Sequence, residues 1–342
     1  MSVPLPLEKL ADYLHAQGLS DGGPITAVPL TGGQSNPTFR LQAGAHRYVL
    51  RKKPPGSLLG GAHAVDREYR VMGALRCTEV PVPRTYVYCD DNAIIGTPFY
   101  IMEFLDGRVF EDQSLIGMQP PERSAIYREM VRVLAALHRV DYVAMGLQDY
   151  GKSGNYFSRQ IARWSRQCKA SKLPVNDAMH RLMDWLPAHV PPDDQTTLVH
   201  GDYRLDNLVF HAEEPRVIGV LDWELSTLGH PLSDLAYQCM SWHIPPSLWR
   251  GIGGLDLVTL GIPSERAYMT LYEDAANRAV TEHWDFYLAY SLFRMAAILY
   301  GIAERAVQGN AAAADAAENG RRAGPLADLA WQRALRYIAA CP

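Results

Sequence analysis

The spacing of apolar positions changes character early in the chain. Leu7 to Gln17 has helical spacing and stops at Gly18. Short β-rich runs come next. Thr38-Phe39-Arg40-Leu41 and Arg47-Tyr48-Val49-Leu50-Arg51 read as two strands with a turn between them. Thr85–Tyr88 and Pro98–Glu103 read as two more, after the proline-rich turn Val80–Pro83. Between the pairs, Asp66 to Met72 has helical character. From Glu122 to Leu137 the period lengthens again, with Ile126, Met130, Val133, Leu134 and Leu137 on one helix face. A turn is expected at the Pro- and Asp-rich stretch Pro187–Asp194. The pattern predicts an α+β chain: a small β-rich part over residues 1–104 and a larger helical part over 105–342.

Composition narrows the class. A chain of 342 residues, 48% hydrophobic, can bury one large core or two lobes. A net charge of −4 without a long basic run argues against a nucleic-acid partner. The five cysteines (Cys77, Cys89, Cys168, Cys239, Cys341) are scattered and never form a C-x-x-C pair. They suggest neither a disulfide framework nor a zinc knuckle, and fit a reducing cytoplasm. The N-terminus lacks the basic start and apolar run of a secretory signal. The greasiest stretch, Trp284 to Ala303, carries Asp285 and Arg294, so a buried helix is expected rather than a membrane span.

The chemistry concentrates in His200-Gly201-Asp202-Tyr203-Arg204-Leu205-Asp206-Asn207, followed by the apolar run Val217–Leu221 and then Asp222-Trp223-Glu224. This order suits phosphoryl transfer from ATP. Asp202 would orient and deprotonate an acceptor hydroxyl, while the amide oxygen of Asn207 and the carboxylate of Asp222 would hold Mg2+ against the phosphates. Upstream, Thr31-Gly32-Gly33-Gln34-Ser35-Asn36 precedes a strand, and glycines there allow backbone N–H groups to approach phosphate oxygens. A competing signal is Gly146-Leu147-Gln148-Asp149-Tyr150-Gly151-Lys152-Ser153, which matches the P-loop formula. That formula needs a buried strand before it and a helix opening at its lysine. Here a helix and a polar connection precede it, and Gly154-Asn155 comes after.

Gly201 in the middle place, Asn207 five residues after Asp202, and Trp223-Glu224 after Asp222 resemble the aminoglycoside phosphotransferase (choline-kinase-related) family. The resemblance implies a bilobal protein-kinase-like fold with ATP and Mg2+ as cofactors. It makes Asp202 the base, and Asn207 and Asp222 the metal ligands. Gln34, Ser35 and Asn36 fall in a phosphate-covering hairpin. Arg51 stands where the strand-borne kinase lysine would, paired with Glu68. Backbone near Glu103 and Leu105 would read adenine at a hinge. His200 would order the catalytic loop. Asp234 would accept hydrogen bonds from that loop's backbone, and also stands where an N-cap is expected. Glu224, two residues past Asp222 in an extended segment, would reach metal or substrate.

One branch of the family matches further: the kinase-like domain fused to acyl-CoA dehydrogenases. Its features are Tyr48–Gly56, Arg67-Glu68-Tyr69, Arg159-Gln160 and Leu221–Leu225. That branch is associated with phosphorylating hydroxyacyl-CoA, which implies a small-molecule hydroxyl acceptor and a separate acyl-CoA dehydrogenase as partner. Tyr156, Arg159, Arg163, Trp164 and Arg294 would wall the acceptor site, arginine serving an anionic head and aromatic surface an apolar body. Two alternatives are weighed against it. An aminoglycoside-type kinase would need carboxylates for a polycation. A catalytically weak nucleotide-binding scaffold would be expected to have lost one of Asp202, Asn207 and Asp222, and all three are present.

Overall fold

The computed structural model describes residues 5–30, 36–54, 64–280, 283–307 and 316–340. The chain separates into two compact units, and the division is not a single cut. Met1–Arg108, Val209–Ala212 and Ile218–Leu225 form the first, and Val109–Leu208, Glu213–Val217 and Ser226–Pro342 the second.

The first unit holds an antiparallel sheet in the order β1-β2-β3-β5-β4, built from β1 (Ile25–Pro29), β2 (Thr38–Ala43), β3 (His46–Lys52), β4 (Thr85–Cys89) and β5 (Phe99–Glu103). Helices α1 (Leu7–Ala16), α2 (Val65–Leu75) and the single turn α3 (Asn92–Ile95) accompany it. Strand β2 alternates, with Phe39, Leu41 and Ala43 buried. Strand β3 lies between β2 and β5 and is buried on both faces from Tyr48 to Lys52. The core gathers Leu10 and Leu14 of α1 against Leu41, Leu50, Phe99 and Ile101 of the sheet. In the same unit the backbones of Arg108 and Phe210 exchange two hydrogen bonds of 2.8 Å. A side chain at Gly107 would collide with the Phe210 carbonyl there, so only glycine fits.

The second unit is helical: α4 (Pro120–His138), α5 (Tyr156–Ala170), α6 (Asp177–Ala188), α7 (Leu232–Cys239), the short α8 (Leu257–Leu260), α9 (Glu265–Ala276), α10 (Trp284–Val307) and α11 (Ala316–Ala340). Helix α10 packs against α11, α5 and α7. By length and composition it could cross a membrane, yet 78% of its most apolar window is buried inside the protein. The turn expected from Pro187 starts later than the sequence suggested. Helix α6 runs through Pro187 to Ala188, because a proline one residue from a helix end removes only one hydrogen bond.

The P-loop reading fails on geometry. Its segment lies in turns after α4, and α5 opens only at Tyr156, four residues past Lys152. Gly151 has another reason to be glycine: a Cβ there would sit 2.6 Å from the Leu228 backbone nitrogen and collide with the Thr227 hydroxyl.

Candidate active site

In the first unit, β3 and α2 bring Arg51 and Glu68 together as the sequence predicted. Arg51 is the cross-strand neighbour of Tyr100 on β5. Its Nε lies 3.2 Å from Glu68 Oε2, while its Nη2 donates to Asp222 Oδ1 at 2.6 Å and lies 3.5 Å from Glu224 Oε2. Glu68 is fully engaged: Oε1 accepts from the Asn36 amide at 2.9 Å and Oε2 from the Tyr100 hydroxyl at 3.0 Å. Burial pushes the Glu68 carboxyl up to about 7, Asp222 and Glu224 add to the rise, and Arg51 and Tyr100 oppose it. Burial also works against the Arg51 charge, but Asp222 and Glu68 outweigh it and hold the guanidinium protonated. Among the described residues Arg51 faces three carboxylates.

Asn36 is buried and donates its side-chain amide to Glu68, so it braces the carboxylate that braces Arg51. One expectation changes here. Glu224 does not continue an extended strand. Asp222 adopts φ 64°, a left-handed conformation uncommon for a residue with a side chain, and Trp223–Leu225 form a 3-10 turn that delivers Glu224 to Arg51. Gln34 and Ser35 lie outside the described residues. At the expected hinge, the Glu103 N–H already donates to the Arg84 carbonyl at 2.8 Å, and its carboxylate accepts from the Arg84 N–H at 3.1 Å. Leu105 packs over Gly219 so closely that a Cβ on the glycine would overlap it.

In the second unit, the strand Thr197–Val199, paired with Thr227–Gly229, leads directly into His200. Asp234 organises the loop that begins there: its carboxylate accepts from the His200 N–H at 2.6 Å and the Gly201 N–H at 2.8 Å, with His138 Nε2 at 3.4 Å. It lies in the first turn of α7 but is not its N-cap, a place held by Pro231. The capping role therefore falls away and the loop-bracing role stands. His200 is buried, and its Nδ1 accepts from the Asp202 N–H at 3.2 Å, as a loop-ordering residue should.

Asp202 is held from several sides. Its Oδ1 accepts from the Tyr237 hydroxyl at 2.6 Å and lies 3.2 Å from Arg204 Nε, and its Oδ2 accepts from the Asn207 amide at 3.0 Å. Burial alone would raise its pKa. Arg204, the Tyr237 hydroxyl, Arg294 and His200 outweigh that, so the carboxyl is held below the usual carboxylate range. The Asn207 amide nitrogen also donates to the Asp202 carbonyl at 2.8 Å, which leaves the oxygen as the end offered to a cation.

Tyr237 and Arg204 escaped the sequence reading. Tyr237 lies three residues after Asp234 on α7, hence on the same helix face, and that spacing was the available signal.

The five residues expected to wall the acceptor site each have a partner within the protein. Tyr156 packs edge-on against Phe157 and covers Gly229, where a Cβ would lie 2.6 Å from its ring. The Arg159 guanidinium donates to the carbonyls of Lys152 (2.5 Å) and Ser153 (3.5 Å), capping its own loop. Trp164 is buried, with the guanidinium carbons of exposed Arg163 and buried Arg294 at 5.0 and 6.0 Å from its ring. Arg294 donates to the Gly201 carbonyl at 2.5 Å and stacks over Tyr237, so it supports the Asp202 loop. The hollow that the Asp202 partners do line is a different one, formed by Arg204 and Tyr237 with Gln113, Gln238, Trp249 and Arg250.

The residues fit a magnesium nucleotide. Among the described residues no three or more His, Cys, Asp or Glu gather as a metal cage. Magnesium typically takes one or two protein carboxylates plus phosphate oxygens; Asp222 in the first unit and the Asn207 side-chain oxygen in the second are each a hard donor of that kind.

The model of the phosphotransferase enzyme family matches residues 26–254. The chain belongs to this family. A crystal structure of a Ralstonia eutropha JMP134 protein classed among the aminoglycoside phosphotransferases is 53% identical, with a TM-score of 0.88, covering 97% of this chain and 99% of that one. The fold, a small antiparallel sheet unit and a helical unit, is the kinase-like fold of these phosphotransferases. A thermostable mutant of aminoglycoside phosphotransferase APH(4)-Ia, solved with AMP-PNP and hygromycin B, shares that fold at 15% identity (TM-score 0.62, covering 95% of this chain and 98% of that one). Mouse acyl-CoA dehydrogenase family member 10 is 44% identical over 97% of the chain. The match spans only 31% of that relative's length.

Proposed function

We propose that this phosphotransferase moves the γ-phosphoryl of ATP to a hydroxyl of a small molecule, with Asp202 as general base. The observation that carries the reading is the Asp202 carboxylate, kept anionic and fixed by Tyr237, Arg204 and Asn207. An anionic carboxylate can accept the proton of an acceptor hydroxyl as its oxygen attacks phosphorus. Asn207 and Asp222 would hold Mg2+, which when bound neutralises charge on the phosphates. Arg51, kept protonated and aimed by Glu68, binds phosphate oxygens.

For the acceptor we favour a hydroxyacyl thioester of coenzyme A. The support is the acyl-CoA dehydrogenase name of the relatives; the hollow beside Asp202 is only about 20 Å³, and its two arginines are already paired with Asp206, Arg204 at 3.2 Å and Arg250 at 2.5 Å. The name of the mouse relative, which extends well beyond the matched region, supports an acyl-CoA dehydrogenase as functional partner.

Purified protein with labelled ATP and a panel of hydroxyacyl-CoA and aminoglycoside acceptors tests this directly. Phosphate should pass to the thioesters, and label on aminoglycosides alone would refute the acceptor assignment. Asp202→Asn should keep nucleotide affinity while turnover falls by about 10²–10⁴-fold, the usual cost of losing a general base. Turnover at the parent rate would remove Asp202 from the mechanism.

A further inference from the structure

A second cavity in the helical unit lies along α5 and α6 and belongs to none of the chemistry above. It measures about 390 Å³ and is lined by Ser158, Ile161, Ala162, Ser165, Arg166, Lys169, Met183 and Pro187. That volume is within the range of small-molecule sites. Its floor is apolar, formed by buried Ile161 and Met183, while exposed Arg166 and Lys169 stand at its rim. Among the described residues no carboxylate lines it.

The feature pointing to a ligand is Ser165. A helical serine usually satisfies its hydroxyl on the carbonyl of the turn before. Ser165 is 9% exposed, lines the cavity, and its Oγ takes no hydrogen-bond partner among the described residues. An unpaired buried hydroxyl is costly, and a ligand oxygen would relieve that cost. A donor on the wall, two cations at the rim and an aliphatic floor together describe one kind of occupant.

We infer that the α5–α6 cavity binds a single aliphatic chain ending in an anionic group, its head on Ser165, Arg166 and Lys169 and its chain over Ile161 and Met183. This site is independent of the acceptor assignment, because none of its residues lines the hollow beside Asp202. A free carboxylate and the headgroup of an anionic lipid share the required chemistry, and the test separates them.

Calorimetric titration of the full chain with monomeric dodecanoate should show saturable binding, and dodecyltrimethylammonium should show none. Ala162→Trp, which fills the cavity from an exposed position, should weaken dodecanoate binding about tenfold or more, as each lost kcal/mol and a half is worth about that factor. Arg166→Glu with Lys169→Glu should do the same by charge reversal. Phosphatidylglycerol vesicles, followed by sedimentation, form the lipid arm. Binding to vesicles that competes with dodecanoate and is lost in Ala162→Trp also supports the site, with lipid as its source. The inference is overturned if neither probe binds, if the cationic detergent binds equally, or if well-folded Ala162→Trp and the double charge-reversal variant both bind like the parent.

Discussion

Asp202 shows how a single residue's role depends on neighbours that a linear reading does not reveal. The His-Gly-Asp order marked it, and Asn207, Asp222 and Asp234 were equally visible as members of an ordered motif. Hidden from the sequence was the hydroxyl of Tyr237 at 2.6 Å, because facing is a property of helix phase and not of proximity in the chain. Equally hidden was the bond from Arg294 to the Gly201 carbonyl, which its arginine-beside-aromatic signature does not announce. Tyr237→Phe removes one hydrogen bond to a charged group, worth about 1.5–3 kcal/mol. We expect kcat to fall about tenfold or more, with nucleotide affinity close to the parent and the melting temperature lowered by roughly a few degrees. Steady-state kinetics beside nucleotide titration decide it, and an unchanged kcat would mean the base holds its orientation without this bond.

Elements were read more securely than contacts. Strands β2, β3 and β5 and helices α1, α2 and α4 appear within a few residues of their predicted spans, because period-2 and helical patterns are written in the side chains themselves. The exceptions are local. Proline near the end of α6 broke less than expected, and a letter-perfect P-loop formula turned out to be loop packing. That last case gives a paired prediction. Lys152→Ala should leave phosphotransfer nearly intact, since the side chain is exposed and takes part in neither the Arg51 nor the Asp202 cluster. Gly151→Ala should destabilise the protein by about 1–3 kcal/mol, the usual cost of overpacking, because the Leu228 backbone cannot yield easily. Urea denaturation and activity assays should show the two effects in opposite columns. Loss of activity in a stable Lys152→Ala protein would reopen the P-loop reading.

At the scale of the whole molecule, buried histidines tie stability to pH. His230 sits against Tyr287, accepts from the Leu232 N–H at the start of α7, and has Asp193 at 3.6 Å, beyond hydrogen-bond reach. Burial lowers its pKa to about 4, Asp193 notwithstanding. His138 is lowered too, by burial against the opposing pull of Asp234. The folded state therefore refuses protons that the unfolded chain accepts below about pH 6.5, so stability is full above that pH and is lost as pH falls towards 4. For His230 alone the loss is about 3 kcal/mol. Denaturation across this window should show a slope shallower by roughly one proton in His230→Gln than in the parent, and equal slopes would contradict the assignment. Protonation would also cost α7 an N-terminal acceptor, and α7 carries Asp234 and Tyr237. That helix matters because the catalytic loop is pinned on its amide side by Asp234 and on its carbonyl side by Arg294. A segment without regular secondary structure should then behave in time like part of the core. Deuterium should enter the His200 and Gly201 amides as slowly as it enters the middle of α10, and fast exchange there would mean that the loop is rebuilt at each turnover instead of waiting ready-made.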